Sequence, residues 1–256
     1  MEVTYMNGAG NDFMVLDARG KDPDFRQLAL DYCKITHADG FMAVDISEKA
    51  DFRLHFYNSD GTRGEMCGNG ARCICRYAFE KGIAGETMSV ETDAGIVYGR
   101  RIDENTYRVK LNNPGVLDLH RRGDIAYVEL GDPGIPHAVA EYRGDLWADK
   151  EALRPQMEAL RRDPAFPKGA NVNFYQRLGN HEVRMLTFER GVEDFTLACG
   201  TGTGSVAAVL WAQGAGNRLA AHNPGGLLKA AVEGTDGHID SIFLEGPTEI
   251  VEKYEL

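Results

Sequence analysis

The chain has 256 residues, enough for one large domain or for two of about half that length, each with its own core. Hydrophobic residues make up 43% and charged residues 26%, the balance of an ordinary globular protein, and the net charge of −11 argues against a nucleic-acid partner, whose phosphates need a basic face. No run approaches the roughly 18 apolar residues of a membrane span. The opening Met1-Glu2-Val3-Thr4-Tyr5 lacks the charged and apolar regions of a signal peptide, so no membrane partner and a cytoplasmic location are expected.

Taken in chain order, short alternating or apolar runs predict strands, the first over 12–17. Asp22-Pro23 reads as an N-cap followed by proline at the first helical position, leading into a helix over 25–33. Strands follow at 41–46 and 51–57. In the second of these Phe52, Leu54 and Phe56 share one face, leaving His55 on the other as an exposed sheet residue. Gly8-Ala9-Gly10-Asn11-Asp12 and Asn58-Ser59-Asp60-Gly61 read as turns. A helix over 68–81 ends at Gly82, a suitable C′ glycine, and strands at 88–92 and 106–111 follow it.

After a seam near Asn112-Asn113-Pro114-Gly115 the pattern starts again. Strands are expected at 125–130, 182–188, 227–232 and 239–244. One helix, over 149–162, carries Ala152, Leu153, Met157 and Leu160 on its apolar positions and stops before Asp163-Pro164. A strand-like run at 195–198 precedes a second helix, over 200–213, which ends at Gly214. No tandem repeat of 20–50 residues is present, so the duplication is of whole halves. The expected class is α+β: two pseudo-symmetric halves, each a mostly antiparallel sheet wrapped around a central helix. The first half is 1–113, with the C-terminal segment 248–256 expected to join it; the second is 114–247.

Two short cysteine motifs carry the chemistry. Met66-Cys67-Gly68-Asn69-Gly70-Ala71-Arg72 and Ala198-Cys199-Gly200-Thr201-Gly202-Thr203-Gly204 lie about half the chain apart, and each opens a helix-like run. A thiol at a helix N-terminus feels the positive end of the macrodipole, which favours thiolate. If two such thiols face each other, one can take a proton while the other returns one, inverting a carbon centre without a cofactor. Five cysteines cannot form a complete disulfide framework, and the six- and two-residue spacings of Cys67, Cys73 and Cys75 are not those of a zinc knuckle, so no metal is expected. Cys33, Cys73 and Cys75 read as buried, inert thiols.

Weaker signals keep two meanings. Gly202-Thr203-Gly204-Ser205-Val206-Ala207 matches a dinucleotide-binding pattern, yet 217–228 lacks the acidic residue that pattern needs, and a backbone nest for a carboxylate fits better. Glu189-Arg190-Gly191 is a surface ion pair by default. His137, after Pro136, is either a core histidine or a general base. A cysteine hydrolase using Cys199 with His137, or an amino-acid binding protein without catalysis, are the readings from other functional classes.

Four blocks occur in order: "MNGAGNDFMVLD", "NSDGTRGEMCGNGARC", "ERGVEDFTLACGTGTGSVA" and "NPGG" at 223–226. On these the chain resembles the diaminopimelate epimerase family nearly end to end. The resemblance implies two halves closing over a cleft, no cofactor, a small amino-acid substrate and a cytoplasmic place in lysine and cell-wall precursor synthesis, with a homodimer as the candidate assembly. By position it makes Cys67 and Cys199 the acid–base pair. Gly68, Asn69, Gly200 and Thr201 become the helix-start residues that hold the reacting carboxylate. Asn11, Asn58, Asn171, Glu189 and Arg190 become substrate contacts, several at the distant end, and His137 becomes the active-site histidine. Two positions depart from the family pattern: Gly134-Ile135-Pro136-His137 has isoleucine where asparagine is expected, and Ile35-Thr36-His37-Ala38 replaces a glycine-rich segment before Asp39-Gly40. The first favours, as an alternative, a racemase of another amino acid such as histidine.

Overall fold

The computed structural model describes residues 2–64 and 67–255; Met66, which opens the first cysteine motif, lies outside the described residues. The chain divides into two units, one running through Lys110 and taking in the segment from Glu245 onward, the other Leu111–Leu244. The elements of the first stretch are β1 (Glu2–Gly8), β2 (Asn11–Asp17), α1 (Phe25–Thr36), β3 (Gly40–Asp45), β4 (Phe52–Asn58), α2 (Gly68–Glu80), β5 (Thr87–Thr92), β6 (Gly95–Arg101) and β7 (Thr106–Leu111). The second stretch holds β8 (Pro114–Arg122), β9 (Ile125–Gly131), β10 (Gly134–Glu141), α3 (Lys150–Arg161), β11 (Asn171–Gly179), β12 (Glu182–Glu189) and β13 (Asp194–Thr196). It continues with α4 (Gly200–Ala212), β14 (Arg218–Asn223), β15 (Gly226–Thr235) and β16 (His238–Pro247), after which β17 (Glu249–Glu255) returns to the first unit.

Strand pairing follows the same plan in both units. In the first, β17, β1 and β2 are antiparallel neighbours, as are β3 with β4 and the run β5–β6–β7. The parallel neighbours β2–β3 and β4–β5 are joined by the crossover helices α1 and α2. In the second, β8–β9–β10, β11–β12 and β14–β15 are antiparallel. Here β10–β11 and β12–β14 are parallel, with α3 and α4 as their crossovers. The class is α+β, with mostly antiparallel sheet in each unit.

Helices α2 and α4 occupy equivalent places and are enclosed by their own sheets. Every residue of α2 from Gly68 to Ala78 is buried, and ten of the 13 residues of α4 are. A helix covered on all faces needs sheet around it; β1, β2, β3 and β6 pack on α2, and β8, β9, β10, β11, β14 and β15 on α4. Small side chains make that enclosure possible in α4: a Cβ at Gly204 would stand 2.5 Å from Leu111 Cδ1. Both helices stop at a left-handed glycine, Gly82 (φ 64°) and Gly214 (φ 76°). By contrast α1 and α3 bury one stripe each, through Ala29 and Cys33, and through Leu153, Met157 and Leu160.

Three expectations need correction. The cap of α1 is Asp24, whose Oδ1 accepts from Gln27 N at 3.0 Å; Pro23 directs the chain into the cap instead of occupying the first helical turn, and Asp22 lies outside it. His55 is not exposed, because Phe25 of α1 stacks on its ring at 4.7 Å and its Nε2 lies 3.2 Å from Asp45 Oδ2. Two-residue periodicity cannot see a helix laid over the second face. Strands β1, β6, β8, β10, β11, β14 and β17 were not anticipated, and the run expected at 195–198 is strand only through Thr196.

Candidate active site

In the first unit, sheet register gathers the polar residues. The β1–β2 hairpin turns at Ala9 and Gly10 (φ 56° and 91°), which releases Asn11 at the start of β2. Gly40 pairs with Asn58, and Phe13 with Gly40, so Asn11, Asp39 and Asn58 stand at one end of three adjacent strands. Asp39 joins them: its Oδ2 accepts from Asn11 Nδ2 (3.1 Å) and from Asp12 N (2.9 Å), while its carbonyl accepts from Ser59 N (3.1 Å). Asn58 Nδ2 donates to Thr62 Oγ1 at 2.9 Å, which holds the side chain at the turn.

The helix start closes this group. Cys67 is the N-cap of α2, extended at φ −127° and ψ 125°, and its carbonyl accepts from Ala71 N at 2.7 Å. Its thiol is half-buried. Asn69, two residues into the helix, donates through Nδ2 to Asn11 Oδ1 and accepts from Arg72 through Oδ1 at 3.0 Å. The hairpin packs directly on this helix, since a Cβ on Gly8 would lie 2.8 Å from Cys73 Sγ. Burial pushes the Cys73 and Cys75 thiols up to about 12 and Cys33 up to about 11, so these three stay protonated at neutral pH. Burial, and then Asp12 nearby, raise Tyr5 to about 12.

The second unit repeats the arrangement with different side chains. Cys199 caps α4 in extended conformation; its Sγ accepts from Gly202 N at 3.3 Å and lies 3.6 Å from Thr201 Oγ1. An N–H directed at sulfur favours the thiolate. Parallel pairing of β10 with β11 sets His137 beside Asn171, and the Asn171 side-chain oxygen accepts from Arg190 N at 2.8 Å. Arg190 Nη1 donates to Lys168 O at 2.9 Å, which anchors the guanidinium after β12 ends at Glu189. Glu129 accepts from Lys168 Nζ (2.6 Å) and from Tyr127 OH (2.7 Å), closing the network behind it.

His137 is fully buried, and burial, followed by the charge of Arg190, lowers its pKa to about 3, so the ring is neutral. Its tautomer follows from Asn173. The Asn173 carboxamide nitrogen meets two backbone carbonyls, Ala138 O (3.3 Å) and Asn171 O (3.0 Å), which only an NH2 can satisfy. The same nitrogen is 3.1 Å from His137 Nδ1, which must then accept, leaving the proton on Nε2. Among the described residues that Nε2–H has no partner. It is therefore a buried donor without an acceptor.

Register and bonding thus bring Asn11, Asn58, Cys67, Gly68 and Asn69 together in the first unit, and His137, Asn171, Glu189, Arg190, Cys199, Gly200 and Thr201 in the second. Sequence reading missed Asn173 and Thr187, whose hydroxyl donates to Asn173 Oδ1 at 3.0 Å, and Arg72. A signal existed for the first: Asn171 and Asn173 share a face at two-residue spacing. Among the described residues no three His, Cys, Asp or Glu side chains form a metal-ligating set, and no helix is long and apolar enough to cross a membrane.

Comparison with known proteins places these features in context. The family model described as diaminopimelate epimerase matches residues 3–114 and 134–251. A diaminopimelate epimerase of Archaeoglobus fulgidus is 36% identical, covering 88% of this chain and 87% of that protein. One from Methanothrix thermoacetophila is 35% identical, covering 96% and 92%. Among solved structures, a Bacillus anthracis phenazine biosynthesis protein of the PhzF family superposes with a TM-score of 0.73 at 15% identity, covering 100% of this chain and 98% of that one. A probable proline racemase of Agrobacterium radiobacter gives 0.68 at 17% identity, covering 100% and 92%; both share the fold.

Proposed function

The chain belongs to the diaminopimelate epimerase family, and we propose that it interconverts LL- and meso-2,6-diaminopimelate by proton transfer between two cysteines, without a cofactor. The observation that carries this reading is the repeated one: in each unit a cysteine caps the enclosed helix at the equivalent point of the pairing plan.

In the mechanism one cysteine, as thiolate, takes the α-proton and becomes a thiol. The carbanion is then protonated on its opposite face by the other thiol, which becomes the thiolate. One proton leaves carbon and one arrives, and exchange with solvent resets the pair for the next turnover. Charge developing on the substrate carboxylate is met by the amides of Gly68, Asn69, Gly200 and Thr201 at the helix starts, dipoles already oriented before reaction. His137 donates through Nε2–H and, being neutral, takes no part as an acid at working pH. Asn11, Asn58, Asn171, Glu189 and Arg190 hold the remainder of the substrate. The Arg190 guanidinium is the natural partner of a distal carboxylate. The place of the reaction is cytoplasmic, in lysine and cell-wall precursor synthesis.

Ile135 supports a second reading, racemisation of another amino acid. It is the second residue of β10, opposite Leu130, and brings an apolar side chain where the family pattern has an amide. The test is α-hydrogen exchange in deuterated water with a panel of amino acids. Exchange and inversion fastest with LL-diaminopimelate support the first reading; faster exchange with an amino acid lacking a distal carboxylate overturns it in favour of the second.

A further inference from the structure

Among the described residues Arg72 is the largest fully buried side chain, one turn into the helix that Cys67 caps. Its guanidinium folds back toward the helix start, donating through Nη1 to Gly68 O at 3.1 Å and through Nη2 to Asn69 Oδ1 at 3.0 Å. Its Nε has no partner, and among the described residues no carboxylate pairs with it. An uncompensated charge in a protein interior is expensive, and a methionine or leucine would fill the space at less cost. A cation kept there needs an anion to answer.

Cys67 caps this helix beside Gly68, which Arg72 bonds, and Cys73 and Cys75 lie on it one and three residues beyond Arg72. Burial pushes the Arg72 guanidinium down, and the nearby sulfurs of Cys73, Cys67 and Cys75 act in the opposite direction. Cys73 and Cys75 are sealed in the core as thiols, so the half-buried Cys67 is the one of the three able to carry charge. Other groups on elements packed against α2 are already engaged. Asp12 of β2 accepts from Asn7 (2.7 Å), Asp39 before β3 holds Asn11, Tyr5 of β1 stays protonated, and Arg101 of β6 lies over Phe79. On the helix itself, Arg76 is paired with Glu80.

Position 72 also breaks the internal symmetry. Counted from the capping cysteine, its counterpart on α4 is Gly204, which carries no side chain. We propose that Arg72 is a positioning residue that holds Cys67 as the resting thiolate and makes the two active-site thiols unequal, Cys67 being the base poised before substrate arrives and Cys199 the acid. This rests on the two-cysteine reading above, and it adds which thiol starts charged and what charges it.

The test is the pH dependence of iodoacetamide alkylation, read cysteine by cysteine by mass spectrometry on the full-length protein; it needs no turnover. The Gly202 N–H at Cys199 Sγ favours a thiolate there as well, but a full guanidinium charge outweighs one amide, so in the wild type Cys67 should titrate below Cys199. In Arg72→Met the Cys67 midpoint should rise by about one pH unit or more, while Cys199 stays in place and Arg72→Lys falls near the wild type. The pH optimum of epimerisation should move up with it, lowering kcat at neutral pH about tenfold with KM little changed. Alkylation of Cys73 and Cys75 would reveal an Arg72→Met protein that has not folded, and the wild-type order of Cys67 and Cys199 then decides. Cys199 titrating at or below Cys67, or an unmoved Cys67 midpoint in folded Arg72→Met, overturns the proposal. Failure of the two-cysteine reading shows up separately, as inversion at the wild-type rate in a variant that has lost one thiol.

Discussion

Gly202→Ala sets two physical effects against each other. Alanine is the best helix former and glycine among the poorest, so propensity alone makes the change stabilising by about 1 kcal/mol. Packing points the other way. A Cβ at position 202 would stand 2.2 Å from Asn173 Oδ1 and 3.1 Å from Cys199 Cβ, the first more than an ångström inside van der Waals contact. Asn173 cannot swing aside, because it is fully buried and held by Thr187, His137, Ala138 and Asn171. Forcing it out overpacks the site, at about 1–3 kcal/mol, and strands buried polar groups, at about 1–3 kcal/mol more. At mid-range the net is a destabilisation of about 3 kcal/mol, which for a chain of this length lowers Tm by about 6–12 °C. Differential scanning calorimetry measures it, with Gly179→Ala as the control: nothing lies within 4 Å of a Cβ there, and the change should stay within about 0.5 kcal/mol. Activity of Gly202→Ala should fall as well, since its N–H serves Cys199 Sγ and its neighbour orients His137. A Tm equal to or above the wild type would refute the reasoning.

Burial of His137 as a neutral ring ties stability to pH. Its folded pKa is lowered to about 3 from 6.5, so the stabilisation is complete above about pH 6.5 and is lost as pH falls toward 3, at up to about 1.4 kcal/mol per pH unit. Between pH 6.5 and 5 the wild type should lose up to about 2 kcal/mol more stability in urea titrations than His137→Gln; equal losses would show that the ring is not held neutral. Asp24→Ala should lose about 1 kcal/mol by removing the cap of α1, lowering Tm by about 2–4 °C, with Asp22→Ala unchanged; the reverse order would restore the cap to Asp22.

The legible parts of the fold were those decided locally. The enclosed helices and their stops could be read because Gly82 and Gly214 mark left-handed ends that any sequence must satisfy. Strands such as β4 and β7 showed themselves by alternation. Those without a clear pattern begin with proline (β8), carry asparagines inward (β11) or mix charged and apolar residues without alternation (β17), and neighbouring strands decide their state. His55 differs from its alternation pattern for the same reason, its second face being covered by a helix from elsewhere in the chain. At the candidate site, the cysteine caps stood out as repeated strings. The Asn173 brace and the Arg72 charge did not, because burial and the absence of a carboxylate partner are properties of packing, not of spacing.

Solvent deuterium entering the inverted carbon is the most direct measure of proton transfer between two thiols. With LL-diaminopimelate in deuterated water, the wild type should invert the α-carbon and incorporate one deuterium there. Cys67→Ala and Cys199→Ala, folded and still able to bind, should each lose inversion by about 10²–10⁴-fold. Inversion at the wild-type rate by either variant would contradict the account.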